Sequence, residues 1–127
     1  MKLSDLNNEQ LKAIKATKGP VLVFAGAGSG KTRVLTYKVW YLIKNKIHSP
    51  NEILALTFTN KAASEMKERI NTSVSCDGVT VGTFHSVGAR ILRKHIQHLD
   101  ERYSNSFTIY DESDPVSYTH LTLPTKA

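Results

Sequence analysis

Residues 21 to 32 read VLVFAGAGSGKT. An apolar run gives way to small residues, Ala25, Gly26, Ala27, Gly28, Ser29 and Gly30, which lead into Lys31 and Thr32. Small residues let successive backbone N–H groups turn inward and approach anionic oxygens closely. A helix starting just after them adds the partial positive charge of its N-terminus. Lys31 then supplies a mobile charge that can reach β- and γ-phosphates, and the Thr32 hydroxyl can ligate the Mg²⁺ that bridges them. The stretch fits the phosphate-binding loop, except that Ala25 stands where the strict pattern has glycine. The competing reading is a glycine turn that merely joins a strand to a helix. Gly-Lys-Thr between an apolar run and an amphipathic segment favours a nucleoside triphosphate with Mg²⁺.

Such a loop needs elements to hold it. LNNEQLKAIKA (6–16) predicts a first helix capped by Asn7 or Asn8, with Leu6, Leu11 and Ile14 on its buried side, ended by Gly19 and Pro20. VLVFA (21–25) predicts a strand covered on both faces. After the loop, 31–44 predicts a helix with an apolar stripe of Leu35, Val39, Leu42 and Ile43. EILALTF (52–58) predicts a second strand. Asn60 starts another helix, with Ala63, Met66 and Ile70 on one side. DGVTVGTF (77–84) predicts a third strand, and 85–99 a fourth helix with Val87, Ile91 and Leu99 facing inward. Alternating strands and helices predict an α/β fold with right-handed crossovers, an open parallel sheet and flanking helices.

The 127 residues suffice for one modest domain. One cysteine, Cys76, excludes an internal disulfide framework. No apolar run approaches the ~20 residues that span a bilayer, and Met1 leads into polar residues rather than a signal sequence. The expectation is a cytoplasmic protein with no membrane partner. Net charge is +6, from 17 basic and 11 acidic residues, which suits a polyanionic partner but equally a merely soluble surface.

Three further stretches narrow the class: LNNEQ (6–10) ahead of the loop, LALTFTNKAASEMKERI (54–70) after the second strand, and VGTFHSVGARILR (81–93) after the third. With the loop, and in this order, they resemble the UvrD/PcrA/Rep group of superfamily 1 DNA helicases across residues 3 to 114. The resemblance implies a P-loop NTPase with a RecA-like sheet, here as a partial domain, that takes ATP with Mg²⁺. It implies that Gln10 reads the adenine edge, that Ala25 to Thr32 hold the phosphates, and that Arg33 lies near the nucleotide. It also implies that Phe58, Thr59, Asn60 and Lys61 touch single-stranded DNA, as do Thr83, Phe84 and His85. The implied activity is ATP hydrolysis coupled to 3'-5' translocation on single strands and to unwinding at duplex junctions, in DNA repair or replication, with protein partners unspecified. On the residues alone, Phe58 and Phe84 could equally be core side chains, and Asn60 only a helix cap. His85 has no Cys or carboxylate cluster beside it to make a metal site. His95 and His98 stand on a basic helix face with Arg93 and Lys94.

Hydrolysis also needs a further carboxylate and a residue that positions water. FTIYDE (107–112) presents Asp111 and Glu112, but Thr108 interrupts the apolar run, and the resemblance places this stretch ahead of the family's inserted helical subdomain. The chain is therefore expected to be a piece of a motor, inactive alone. Residues 1–114 form the ATP-binding part. Residues 115–127 read as a non-native tail, because VSYTHLTLPT (116–125) resembles a translated sequencing adapter. The alternatives are a P-loop NTPase or kinase of another class, or a non-enzymatic nucleic-acid-binding module.

Overall fold

Side-chain caps start two of the helices in this chain. A computed structural model describes residues 1–26, 28, 30–102 and 104–108. The elements are α1 (Asn8–Lys15), α2 (Lys31–Lys44), β1 (Leu54–Thr57), α3 (Asn60–Asn71), β2 (Thr80–Thr83) and α4 (Phe84–His95), with 3-10 turns at Leu3–Asp5, Pro50–Glu52 and Ile96–His98. Asn7 caps α1, and Thr59 caps α3 by accepting the Ala62 N–H at 3.1 Å. Thr59, not Asn60, is thus the cap; Asn60 is the first helical residue.

The chain divides into two units, Met1–Gly88 and the residues from Ala89 onward. In the first, β1 and β2 pair in parallel, Leu54 opposite Thr80 through Thr57 opposite Thr83, with α3 as the crossover. This is a mixed α/β arrangement with a small parallel sheet. One core gathers Val39, Ile53, Ala63, Met66, Ile70, Cys76, Val79 and Val81. A second gathers Leu6, Ile14, Tyr37 and Trp40. The two meet on α2, which packs on α1 with one side and on α3 with the other. Lys38 fastens α1 to α2: its ammonium donates to the carbonyls of Ala13 (2.8 Å) and Ala16 (2.6 Å), at the end of α1 where carbonyls lack helical partners. Burial lowers the Lys38 pKa from its ordinary value.

Three sequence expectations need correction. Residues 21–25 form no strand, and Phe24 is 91% exposed. Apolar character makes a segment eligible for a sheet, but a strand exists only through ladder bonds to a neighbour. Among the described residues the sheet consists of β1 and β2 alone. On α2 the expected stripe holds for Val39, Leu42 and Ile43, which pack in or against the first core, but not for Leu35, and a second face is buried that the stripe did not include. Thr36, Tyr37, Val39 and Trp40 are buried, because the helix is covered on two sides, while Leu35 is left half exposed. The fourth helix is shorter than expected. It stops at His95 and tightens into the turn Ile96–His98, so that Leu99 is 77% exposed. Ile91 is also exposed, since no described residue after Val87 is buried.

In the second unit Arg102 pairs with Asp100 at 2.6 Å and holds that carboxyl down to about 2. The Arg93 guanidinium lies over the Phe107 ring, 5.5 Å from its centroid. Asp111, Glu112 and residues 115–127 lie outside the described residues.

Candidate functional site

At the N-terminus of α1, Asn7 and Gln10 form a reciprocal capping box. The Gln10 N–H donates to Asn7 Oδ1 at 2.8 Å, and the Asn7 N–H donates to Gln10 Oε1 at 3.0 Å. Only Asn7 stands three residues before a Gln or Glu here, so the pattern was available in the sequence to choose it over Asn8. The box orients the glutamine amide. Its Nε2 lies 3.2 Å from where a Cβ on Gly30 would sit.

Gly30 precedes α2 in the left-handed region, at φ +83°, and Gly28 sits there too, at φ +75°. Side chains rarely tolerate this backbone, so glycine at both positions has a conformational reason. α2 begins without a side-chain cap and without an acidic residue in its first turn, which leaves its N-terminal partial charge unopposed. Lys31 and Thr32 are its first two residues, and both are exposed. A cleft of about 730 Å³ is lined by Asn7, Gln10, Ala25, Gly26, Lys31 and Lys38, among others. Residues distant in sequence thus share one cavity with the glycine-rich stretch. The donor set is of the kind a triphosphate with Mg²⁺ would need: left-handed glycines at 28 and 30, an uncapped helix N-terminus, the exposed Lys31 ammonium and the Thr32 hydroxyl. Ala27 and Ser29 lie outside the described residues. Arg33 turns elsewhere. Its guanidinium donates to the Asp5 carbonyl at 3.0 Å and lies over the Tyr37 ring, 5.6 Å from the centroid.

The second group of residues sits at the carboxyl ends of the paired strands. Thr57 is opposite Thr83, so Phe58 and Phe84 each stand one residue beyond the same rung. Both residues are exposed, Phe58 at 96% and Phe84 at 66%, so neither belongs to the two cores of this chain. The backbone around them is pinned. Thr57 donates from its hydroxyl to the Thr59 carbonyl at 2.9 Å. Thr83 and Ser86 exchange bonds across the first turn of α4: the Thr83 N–H reaches Ser86 Oγ at 3.0 Å, and the Ser86 N–H reaches Thr83 Oγ1 at 3.1 Å. Asn60, Lys61 and His85 are exposed beside them. Ser86 was not singled out from sequence, although a hydroxyl three residues after Thr83 is a capping pattern.

Gly82 makes this closure possible. A Cβ there would lie 2.8 Å from Ser86 Oγ and 3.1 Å from Val87 Cγ2. Gly82→Ala is therefore expected to break the Thr83–Ser86 exchange and destabilise the fold by about 1–3 kcal/mol. Thermal melting of the variant checks this, and an unchanged midpoint would mean that the first turn of α4 yields freely.

No helix among the described residues is long and apolar enough to cross a membrane. A family model described as the UvrD/REP helicase N-terminal domain matches residues 6–126. The chain is 53% identical over 109 residues to a probable DNA helicase II homolog of Rickettsia conorii, covering 86% of this chain and 17% of that protein. It is 49% identical over 112 residues to DNA helicase II of Rickettsia typhi, covering 88% and 17%. To the ATP-dependent DNA helicase PcrA of Staphylococcus aureus it is 48% identical over 117 residues, covering 91% and 16%. The chain thus spans about a sixth of the length of these curated relatives. With the glycine-rich stretch and the paired strand ends in the order that the resemblance required, the chain belongs to the UvrD/REP helicase N-terminal domain family.

Proposed function

We propose that this chain is the ATP-binding N-terminal part, with a RecA-like P-loop fold, of a helicase that moves 3'-5' along single-stranded DNA and opens duplex junctions. The single observation that carries the DNA reading is the β1–β2 register, which brings two solvent-exposed phenylalanines to the same end of adjacent strands. Open α/β sheets take ligands at that end. Exposed aromatic faces there can stack on bases with little regard to sequence. A small-molecule kinase would have no use for two exposed rings backed by helix-capping threonines.

On this reading, residues 25–30 and the N-terminus of α2 cradle the triphosphate, Lys31 neutralises its β- and γ-oxygens, and Gln10 reads the base. Thr32 would hold Mg²⁺, which when bound draws charge from the phosphate oxygens. Arg33, turned toward Asp5 in this structure, would need to swing to approach a nucleotide. Thr59, Asn60, Lys61, Thr83 and His85 contact the DNA backbone around the two rings, which fixes position rather than sequence. The carboxylates and second lobe that complete the motor are supplied by the rest of the parent protein. Residues 115–127 remain proposed as a non-native tail, and an independent reading of the gene would replace them with the native continuation.

The test is strand separation by the full-length parent on duplexes carrying a 3' or a 5' single-stranded tail. ATP-dependent opening of the 3'-tailed duplex is expected, and none by the purified 127-residue chain. Opening by the chain alone, or a preference for the 5' tail, would refute the corresponding part of the proposal.

A further inference from the structure

We propose that Asn7 is a positioning residue for base recognition: it fixes the orientation of the Gln10 amide and thereby sharpens the preference for adenine. The proposal rests on the adenine-reading role of Gln10. An amide distinguishes adenine only when its acceptor meets the base's amino group while its donor meets the adjacent ring nitrogen. A glutamine free to rotate presents both orders and loses that discrimination. Here rotation is restrained. Gln10 Oε1 accepts the Asn7 N–H at 3.0 Å, which identifies the other amide atom as the nitrogen. The Asn7 backbone is itself held by its side chain, whose Oδ1 accepts the Gln10 N–H at 2.8 Å.

The geometry carries this beyond an ordinary helix cap. The amide Nε2 stands next to Gly30, immediately before Lys31: a Cβ built on that glycine would lie 3.2 Å from it. Asn7, Gln10 and Lys31 line the same cleft. Oε1 keeps a second lone pair for a base amino group while its first is occupied by the cap. The reader of the base is therefore held between the start of α1 and the last glycine of the phosphate loop. Removing the Asn7 side chain loosens one side of that grip without touching any group proposed to contact the phosphates.

The experiment compares kcat/KM for DNA-stimulated hydrolysis of ATP and GTP by the full-length parent, with melting midpoints measured in parallel. Gln10→Ala is expected to lower the ATP-over-GTP ratio by about tenfold or more, and Asn7→Ala by about three- to tenfold. Asn7→Ser, a neutral cap of similar strength, should restore the ratio. Asn7→Gly removes Oδ1 at little cost to the helix, and it should repeat the Asn7→Ala result should that variant fail to fold. A lowered melting midpoint with an unchanged ratio in the Asn7 variants, while Gln10→Ala still loses discrimination, would reduce Asn7 to a cap and overturn the proposal. Failure of Asn7→Ser to restore the ratio would overturn it as well, by assigning Asn7 a direct contact. An unchanged ratio in Gln10→Ala would instead reject the adenine-reading role, and the proposal with it.

Discussion

Lys31→Ala in the full-length parent should lower DNA-stimulated ATP hydrolysis by at least about a hundredfold, the scale seen when one electrostatic contact to a reacting group is removed. Within the stretch 25–32, Lys31 is the only charged side chain, so nothing else in the loop can replace it. It is exposed at the first position of α2 and takes no part in either core. The melting midpoint should therefore hardly move, as for most surface substitutions, which stay within about 0.5 kcal/mol. Phosphate release at saturating DNA, together with melting of the same preparation, checks both halves. Turnover near that of the unsubstituted protein would remove the loop from the mechanism. A collapsed midpoint would show that Lys31 serves the fold instead.

Replacing Phe84 and His85 by alanine together should weaken binding of single-stranded DNA while leaving ATP affinity in the absence of DNA nearly unchanged. Stacking on an aromatic face contributes about 1–3 kcal/mol per base, or roughly fivefold to more than a hundredfold in affinity. A buried phenylalanine would behave otherwise: its loss costs about 3–5 kcal/mol of stability and removes both ligands together. Exposure of the Phe84 ring at 66% favours the first pattern. Binding should tolerate any base sequence and fall as salt rises, because counterions are released from neutralised phosphates. Two titrations and a melting curve on one variant separate the outcomes. Lost stability without a selective DNA defect would return Phe84 to a structural role.

The unequal legibility of these two sites has a physical cause. The glycine-rich stretch proposed to hold the nucleotide is contiguous, and its requirements are local. Small residues, left-handed glycines and a following helix all act over a few residues, so Gly28, Gly30, Lys31 and Thr32 could be read from spacing. The same holds for α2, whose range agrees with expectation, and for α3, whose buried Ala63, Met66 and Ile70 follow the helical period. Capping is local too, which is why Asn7 with Gln10 was visible as a pattern.

What required the tertiary structure was everything that depends on a partner. Residues 21–25 have the composition of a buried strand, yet hydrogen bonding needs a second chain segment, and none pairs with them among the described residues. The burial of Thr36, Tyr37 and Trp40 follows from α1 lying against α2, a fact that no period along α2 contains. A phenylalanine after a strand suits either core or surface, so type alone left Phe58 and Phe84 open; in this chain both are exposed at the same end of the paired strands. By itself the sequence determined the presence and order of the four helices and of the two paired strands, expected over 52–58 and 77–84 and formed over Leu54–Thr57 and Thr80–Thr83, because local backbone preference and periodicity specify these. Tertiary packing alone decided which faces are covered, which apolar segment stays unpaired among the described residues, and that Gln10 and Lys31 line one cleft, because burial and ladder bonds belong to pairs of segments and not to one.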